Sequence, residues 1–394
     1  MATTKSGVPA LRVGFIGGGA VGLYIGAHLA QDGHDVTIID GWAENVDAIR
    51  DRGIRVVPPS CDPPFTQTEN IRALHIHETH MLRDDAEFDI GFVAMKIHDT
   101  RWAASLIDRF VTPSGFVVAS QNCWPDEAVA DVVGDGRAVG CVMSTISVGM
   151  WEAGLVERAG SATGRLRGYT VLRPAEHTPG GGVSPRTVAL AKMLEVVDTA
   201  EASPDLWSER WSKLCLNAMS NTPQAMSGMA GPEVLHTAEG RRLTIMAAGE
   251  TVKVGVAKGL IIGKVQGRPA ADWALALEDK DMYDELDEML TPSTPPPAVR
   301  SQWDEKGTQE NWKVSMPQDI AKQRRSEIEE MTGLVCREGE ALGIPTPVAQ
   351  AITETVSQID RGERTPGADN LRLTLVAAGV GVPVPADAIA AARL

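Results

Sequence analysis

Cysteine is scarce in this sequence, and long apolar runs are absent from it. The five cysteines (positions 61, 123, 141, 215 and 336) include no Cys-x-x-Cys pair, which argues against a disulfide framework or a zinc site and favours a reducing cytoplasm. Since no apolar run approaches about 20 residues, we expect no membrane-spanning segment. The first residues also lack the apolar core of a signal peptide, so we expect a cytoplasmic protein.

Basic residues are outnumbered by acidic ones. Lysine and arginine total 37 against 52 aspartate and glutamate residues, a formal net charge of −15, which argues against a nucleic-acid-binding surface. The chain has 394 residues, of which 43% are hydrophobic and 23% are charged. These values are ordinary for a globular enzyme with room for two domains.

The histidine-rich stretch HIHETH at 75–80 is a candidate metal-binding segment. His75 and His77 would share one face of a strand, but no other ligands follow at a recognisable spacing. We therefore expect a solvated strand and loop there, and no bound metal.

The N-terminal part alternates between strand and helix patterns. Residues 11–16 form a short apolar run, 20–31 have helical periodicity and 36–39 are β-branched. Strands that alternate with helices indicate a parallel, doubly wound sheet. The sequence therefore predicts a Rossmann-type α/β domain over 1–203. Its further predicted strands are 90–96, 115–122 and 138–146.

Beyond residue 203 the patterns are helical, with no clear strand. We therefore expect an all-helical second domain over 204–361, interrupted by a proline-rich, polar insert at 290–312. Residues 362–394 are too apolar for simple disorder and are predicted to be a C-terminal extension that docks on a neighbouring element or a partner subunit. The predicted helices are 205–228, 233–259, 270–290 and 317–342.

Three glycines stand between the first predicted strand and the first predicted helix. Gly17, Gly19 and Gly22 form the pattern G-x-G-x-x-G; the first glycine allows a tight turn, the second lets the backbone approach a pyrophosphate and the third permits close helix packing. Ala20 and Val21 open a helix whose free N–H groups attract phosphate. The alternative is a flexible surface turn, but the flanking strands and helix are all present, so we predict a dinucleotide-binding site.

Asp40 ends the second predicted strand and bears on the choice of dinucleotide. A carboxylate in this position accepts hydrogen bonds from both ribose hydroxyls and repels a 2′-phosphate. Gly41 and Trp42 follow it, and no arginine stands beside them to bind that phosphate. NAD is therefore favoured, with NADP as the alternative; the other interpretation of Asp40 is an acidic turn residue that points to water.

A polar stripe runs along an otherwise apolar helix of the second domain. Lys213, Asn217 and Asn221 are four residues apart in KLCLNAMSN and lie close to one face. A buried ammonium costs several kcal/mol unless it is partnered or functional. The alternatives are a lysine that reaches solvent and amides that only pack.

Five segments together resemble the ketopantoate reductase family. Their order and spacing agree with that family along most of the chain. The resemblance implies a Rossmann-type domain followed by a helical domain of the 6-phosphogluconate dehydrogenase type, and such helical domains often form a homodimer. The segments are VGFIGGGAVGLYIGAHLAQDGHDVTII, FVAMKIHDT with Lys96, ASQN with Asn122, LWSERWSKLCLNAMSNTP with Lys213, and VSMPQDIAKQRRSEIEEMTGLVCREGEALGIPTPV.

The resemblance also implies roles for individual side chains. Lys213 would be the general acid that protonates the carbonyl oxygen as hydride arrives, and Asn217 and Asn221 would bind the substrate. Ser315 would bind the substrate carboxylate, and Glu327 would contact a substrate hydroxyl or orient Lys213. An ammonium and an amide that face a developing oxyanion stabilise the transition state. For Ser315 the alternative is a helix N-cap.

Lys96 and Asn122 would lie at the ribose–nicotinamide end of the cofactor, although Lys96 is equally well explained as a strand-end charge in water. Where family members typically have Asn-Gly, this sequence has Asn122-Cys123-Trp124. Cys123 adds bulk beside the nicotinamide, and Trp124 is a candidate wall of the site.

Departures from the family pattern put ketopantoate itself in doubt as the substrate. Trp273, Trp303 and Trp312, in or near the insert, either line a pocket for a larger substrate or pack the insert down. We expect an NAD(P)-dependent oxidoreductase that interconverts a carbonyl and a hydroxyl group on a small hydroxy or keto substrate, in an oxidative, catabolic direction. The alternatives are a true ketopantoate reductase that uses NADPH, and a non-catalytic dinucleotide-binding relative.

Overall fold

The computed structural model describes residues 3–57, 64–144, 146–158, 171–178, 180, 182–293 and 313–381. The chain divides into two compact units, Met1–Arg210 and Trp211–Leu394. The first unit is mixed α/β, and the described part of the second consists of helices joined by loops, so the predicted fold class is confirmed. Within the described ranges, no helix is both long enough and apolar enough to cross a membrane.

The first unit is built on two sheets. Its strands are β1 Arg12–Ile16, β2 Asp35–Asp40, β3 Ile54–Val57, β4 Phe65–Gln67, β5 Ile71–His75, β6 Phe88–Val93, β7 Val111–Ala119, β8 Ala138–Ser144, β9 Val148–Glu152, β10 Leu155–Arg158 and β11 Val171–Glu176. The larger sheet has the order β11-β8-β7-β6-β1-β2-β5. It is parallel except at the edge, where β11 runs antiparallel to β8. Strands such as β1 are apolar because both faces of a parallel sheet are covered.

The smaller sheet, of order β4-β3-β10-β9, was not predicted. Its strands are short, and β3 pairs with β10, which lies about a hundred residues further along the sequence. The local sequence pattern therefore does not predict this pairing. The helices of this unit are α1 Ala20–Asp32, α2 Ala43–Arg52, α3 Thr100–Asp108, α4 Asp126–Val133 and α5 Pro185–Leu194. Helix α1 packs against strands of both sheets, which explains why most of its circumference is buried.

Helix α6, Leu206–Ser227, begins in the first unit and continues in the second. Leu206 packs with Val142 and Ala175, and the Arg210 guanidinium binds the Asp126 carboxylate. These contacts assign the first turn of α6 to the first unit. The sequence pattern predicts the boundary after residue 203, in the loop before the helix.

The second unit contains shorter helices than the periodicity predicts, and the prediction of three long continuous helices was wrong. Thr237 has an extended backbone, and its hydroxyl accepts a hydrogen bond from the Gly240 N–H to begin a new helix. Asp279 likewise caps a helix by accepting from the Met282 N–H. Periodicity persists across such breaks because both pieces face one core. The helices are α7 Gly231–His236, α8 Ala238–Ala257, α9 Ala270–Leu275, α10 Lys280–Leu290, α11 Ser315–Ala321, α12 Thr332–Leu342, α13 Pro347–Asp360 and α14 Asp369–Ala377.

Trp273 lies in the core of the second unit. Its ring is fully buried, and its Nε1 donates a hydrogen bond to the Val265 carbonyl at 3.1 Å. The ring therefore packs in the helical core and does not line an open pocket; packing against the insert stays a prediction. Trp303, Trp312, most of the predicted insert and the end of the predicted extension lie outside the described residues.

A distant carboxylate caps the N-terminus of α13. Glu250 of α8 is 3% exposed and accepts hydrogen bonds from the backbone N–H groups of Val348 at 2.9 Å and Ala349 at 2.8 Å. Burial raises the pKa of Glu250 to about 7, although the two hydrogen bonds act in the opposite direction. The contact satisfies two N–H groups that a helix leaves without partners, and joins α8 to α13.

Candidate active site

The glycine turn joins β1 to α1. Gly17 has a φ of 108°, where a side chain is strained, and a Cβ there would lie 2.7 Å from the Ala94 carbonyl. A Cβ on Gly22 would lie 2.2 Å from the Gly17 carbonyl oxygen, so α1 packs directly on the turn. Around Gly19 the space is open, and no described side chain caps α1. The first turn of α1 therefore offers N–H groups that a phosphate can approach.

The carboxylate of Asp40 lies against this turn. Its Oδ1 accepts a hydrogen bond from the Gly41 N–H at 2.7 Å, and its Oδ2 accepts one from the Asn45 side chain at 2.8 Å. A Cβ on Gly18 would lie 2.5 Å from Oδ2. Sequence reasoning missed Gly18 and Asn45: Gly18 occupies a variable position of the pattern, and Asn45 belongs to α2. The run of three consecutive glycines, of which Gly18 is the middle one, was the available signal.

Lys96 and Asn122 lie at the same edge of the larger sheet as the glycine turn. Lys96 follows the carboxyl end of β6, the neighbour of β1, and Asn122 follows that of β7, the next strand in the sheet; both residues are partly exposed. Gln121 joins the two strand ends, because its Nε2 donates to the Thr100 hydroxyl at 2.8 Å and to the Lys96 carbonyl at 3.3 Å. The structure thus brings together the residues predicted to bind the cofactor within the first unit.

A buried ion pair supports the end of β7. The Nε and Nη2 atoms of Arg210 lie 2.7 and 2.9 Å from the two carboxylate oxygens of Asp126. The same guanidinium donates to the carbonyls of Ala119 and Gln121. Arg210 and Asp126 are 2% and 1% exposed, so this pair holds the backbone just before Asn122. The sequence carries no motif that marks it.

Cys123 has the backbone conformation of a glycine. Its φ is 64°, in the left-handed region, at the position where the family pattern has glycine, and its side chain is buried. Trp124 packs against Trp207 with ring centroids 4.7 Å apart and the rings tilted by 34°, and His177 makes an edge contact with Trp207 at a centroid distance of 5.3 Å. Trp124 is therefore part of an aromatic cluster within the first unit.

In the second unit, Lys213, Asn217 and Asn221 lie on α6, as their spacing predicts. Asn217 and Asn221 are 4% and 3% exposed, and Lys213 is partly buried. The Nδ2 atom of Asn217 is buried and has no hydrogen-bond partner among the described residues. A buried donor without an acceptor costs about 1–3 kcal/mol. An acceptor on a ligand, or a water molecule, would remove that cost.

Ser315 and Asn221 are brought together. The Nδ2 of Asn221 lies 3.3 Å from the Ser315 hydroxyl. Ser315 is the first residue of α11 and Val314 is the cap position, so the N-cap alternative for Ser315 was wrong. Glu327 is 6% exposed and follows Ser326, whose hydroxyl donates to Asp360 at 2.6 Å.

Gln224 extends the polar stripe and was missed by sequence reasoning. It is 4% exposed, and its Nε2 donates to the Ser220 carbonyl at 2.9 Å. Its Oε1 is buried without a partner among the described residues. Gln224 follows Asn221 by three residues and Asn217 by seven, so helical spacing could have revealed it. Asn217 and Gln224 thus present one unpaired donor and one unpaired acceptor on the same face of α6.

The described residues contain no group of three or more histidine, cysteine, aspartate or glutamate side chains that could hold a metal ion. In the HIHETH stretch, His75 stacks on His77 with centroids 5.3 Å apart and its Nε2 lies 3.1 Å from Asp47. These side chains interact with their surface neighbours.

Comparison with known proteins finds two family models in succession along the chain. Residues 13–167 match the model described as ketopantoate reductase PanE/ApbA, and residues 205–360 match the model for its C-terminal part. Together they cover well over half of the chain. The 2-dehydropantoate 2-reductase of Halobacterium salinarum is 25% identical over 357 residues, which are 89% of this chain and 99% of that protein. The enzyme of the same name from Streptococcus pyogenes serotype M1 is 21% identical over 358 residues, 86% of this chain and 95% of the relative.

Solved structures show the same fold. A ternary complex of D-mandelate dehydrogenase with NADH and anilino(oxo)acetate has a TM-score of 0.69 at 19% identity and covers 89% of this chain and 98% of its own. A PanE/ApbA family ketopantoate reductase from Ralstonia eutropha has a TM-score of 0.66 at 22% identity, with 90% and 99% covered. Both the α/β unit and the helical unit are thus those of one family. The chain belongs to the ketopantoate reductase family of oxidoreductases.

Proposed function

We propose that the protein is an NAD-dependent oxidoreductase that interconverts a 2-hydroxy acid and the corresponding 2-oxo acid. The observation that carries the proposal is the stripe on α6, in which the buried amide donor of Asn217, without a partner among the described residues, stands one turn from Lys213. A buried amide and an ammonium on one helix face are the groups that a developing oxyanion needs. Members of the family with named activities act on molecules of this kind.

The first unit fits a dinucleotide. The glycine turn leaves space that a side chain would fill, and α1 begins there with N–H groups free for phosphate oxygens. Asp40, held against the turn by Asn45, is suited to accept hydrogen bonds from the ribose hydroxyls and to repel a 2′-phosphate. We therefore propose NAD as the preferred cofactor, with Lys96 and Asn122 toward its nicotinamide end. A bound nicotinamide would supply or accept the hydride.

The second unit supplies the polar groups for the substrate. In the proposed mechanism the Lys213 ammonium gives a proton to the carbonyl oxygen during reduction and its amine takes that proton back during oxidation. The Nδ2 of Asn217 donates a hydrogen bond to the same oxygen. Asn221 and Ser315, already in contact, bind the carboxylate, and Glu327 contacts a substrate hydroxyl or orients Lys213.

The substrate class follows from the chemistry that named relatives share. The curated relatives are 2-dehydropantoate 2-reductases, and one structural neighbour is D-mandelate dehydrogenase. Both names describe the exchange of a 2-oxo and a 2-hydroxy group beside a carboxylate. Because Cys123 and Trp124 depart from the family pattern, we propose a substrate other than ketopantoate. Because Asp40 favours NAD, we propose that this substrate is oxidised in the physiological direction.

Steady-state assays test this proposal. NAD and NADP are compared as oxidants for a panel of aliphatic and aryl 2-hydroxy acids, and NADH and NADPH as reductants of the matching 2-oxo acids. Lys213→Ala is expected to lower kcat by about 100-fold to 10,000-fold while NADH binding, followed by fluorescence, persists. Lys264→Ala, at an exposed position, is the matched control. A preference of about tenfold or more for NADPH would refute the cofactor assignment.

A second candidate is a true 2-dehydropantoate 2-reductase. It is favoured by the names of the curated relatives, which cover most of this chain. Ketopantoate turnover with NADPH that exceeds turnover of every 2-oxo acid in the panel would select this candidate. Absence of turnover together with NADH binding would select a non-catalytic relative.

We also propose a homodimer, since a ketopantoate reductase from Staphylococcus aureus with this fold is described as dimeric. Light scattering after size-exclusion chromatography measures the mass directly. A mass equal to that of one 42.0 kDa chain would refute the dimer.

A further inference from the structure

We propose that Asn45 is a positioning residue for cofactor selection: it holds the Asp40 carboxylate and the glycine turn in the one geometry that accepts an unphosphorylated ribose. This inference rests on the proposed function to the extent that the turn binds a dinucleotide. It adds a residue outside the glycine pattern, on α2, that acts through Asp40 rather than by touching the cofactor.

Asn45 is fully buried and uses its whole side-chain amide. Its Nδ2 donates to the Gly18 carbonyl at 2.9 Å and to the Asp40 Oδ2 at 2.8 Å. Its Oδ1 accepts the Gly154 N–H at 2.9 Å, and its exposed fraction is 0%. A single planar group therefore joins the glycine turn, the end of β2 and the turn between β9 and β10.

The two hydrogens of one amide fix the distance between their two acceptors. A carboxylate at a strand end could otherwise rotate about its χ angles, because water would satisfy its oxygens in any orientation. Oδ1 of Asp40 accepts the Gly41 N–H at 2.7 Å and the Trp42 N–H at 3.4 Å, whereas Oδ2 accepts only from Asn45 among the described residues and keeps a lone pair for a further donor. The carboxylate is thus oriented before any ligand arrives, which removes part of the entropic cost of binding.

Gly18 completes the arrangement. A Cβ at this position would lie 2.5 Å from the Asp40 Oδ2 and 2.8 Å from the Asn45 Nδ2. The carboxylate therefore approaches the turn as closely as a glycine permits.

The test measures binding of ADP-ribose and of 2′-phospho-ADP-ribose by isothermal titration calorimetry, so that no turnover is required. In Asn45→Ala, water can replace the lost backbone contacts, but Asp40 keeps only its Oδ1 contacts with the Gly41 and Trp42 N–H groups, and its Oδ2 is released from the turn. We expect ADP-ribose to bind about tenfold more weakly and the ratio of the two affinities to fall by about fivefold or more, because a released carboxylate turns away from a 2′-phosphate. Asn45→Asp, which keeps the size and the acceptor for Gly154, is expected to weaken ADP-ribose binding at least as much.

Asn370→Ala is the matched control. Asn370 is a buried amide of the second unit, 6% exposed, whose Nδ2 also donates to two acceptors, the carbonyls of Met226 and Thr365. Its loss is expected to lower the Tm as the loss of Asn45 does, and to leave both affinities unchanged.

The outcomes separate this inference from the proposed function. Folded Asn45 variants that bind both ligands as the wild type does, or that lose both affinities in equal proportion, would overturn the selection role. A wild-type protein that binds neither ADP-ribose nor NAD would overturn the proposed function, and this inference with it.

Discussion

Substitution of Glu250 by glutamine examines how a buried carboxylate at the start of α13 affects stability. Burial raises the pKa of Glu250 from 4.5 to about 7 in the folded protein. Because the folded state binds this proton more tightly than the unfolded chain does, the contribution to the free energy of unfolding is fully present below pH 4.5. This contribution is lost as the pH rises from 4.5 to about 7, and above that pH the free energy of unfolding no longer changes through Glu250.

The magnitude follows from the two pKa values. At about 1.4 kcal/mol per pH unit, they correspond to about 3 kcal/mol of unfolding free energy. At pH 5 Glu250 is protonated in the folded protein, and glutamine, which does not ionise, places an NH₂ group where that carboxyl has a hydroxyl oxygen able to accept. Either the Val348 or the Ala349 N–H therefore loses its partner at a cost of about 1–3 kcal/mol. We expect Glu250→Gln to be less stable than wild type by about that amount at pH 5, and equal to it or more stable at pH 8.

The assay is urea unfolding of wild type and variant at pH 5 and pH 8, followed by tryptophan fluorescence. The free energy of unfolding of the variant is subtracted from that of the wild type at each pH, and the two differences are compared. Contributions from other titrating groups cancel in this subtraction. Glu340→Gln, at an exposed position of α12, is the control and should differ from wild type by less than about 0.5 kcal/mol at both pH values. A wild-type-to-variant difference that is the same at pH 5 and pH 8 would refute the reasoning.

Three further predictions concern the framework of the site. Gly18→Ala is expected to lower the Tm, because its Cβ would lie 2.5 Å from a carboxylate oxygen. In Gly19→Ala the atom nearest to the new Cβ is 4.0 Å away, so this variant should keep the wild-type Tm but lose ADP-ribose binding in calorimetry. Arg210→Leu leaves Asp126 buried without its partner, so the free energy of unfolding in urea should fall by about 3–5 kcal/mol. Cys123→Gly should be tolerated, and Cys123→Val should lower the Tm, because a β-branched residue at a φ of 64° is strained.

Each of these predictions has an internal comparison. Arg101→Leu removes an exposed ion pair with Asp131 and should cost less than about 1 kcal/mol; equal losses in the two arginine variants would contradict the assigned role of burial. Equal Tm values for glycine and valine at position 123 would show that the conformation there is not strained. Equal Tm values for the two alanine variants of the glycine turn would contradict the close approach at Gly18.

Local pattern was sufficient for the fold class and for the dinucleotide-binding unit. The strand, glycine turn, helix and strand over residues 11–40 are set by contacts close in sequence, and the structure has them at Arg12–Ile16, Ala20–Asp32 and Asp35–Asp40. The four-residue spacing of Lys213, Asn217 and Asn221 likewise predicts their common helix face. Such features follow from periodicity and turn geometry, which one segment carries by itself.

Helix ends and the smaller sheet could not be read in this way. Thr237 and Asp279 begin new helices through N-caps that interrupt a continuous apolar period. Strand β3 finds its partner β10 far along the chain, and β10 has too few residues for a distinct pattern. In both cases the local sequence is compatible with more than one structure, and contacts with distant residues decide which one forms.

The sequence alone therefore determined the class of the molecule, the glycine turn with Asp40 after the second strand, and the polar face of α6, because each depends on residues a few positions apart. Tertiary structure decided which groups touch. Asn45 reaches Gly18 and Gly154, Ser315 meets Asn221, Arg210 pairs with Asp126 and Glu250 caps α13. A hydrogen bond between distant segments needs an angle and a distance that only the packed chain supplies.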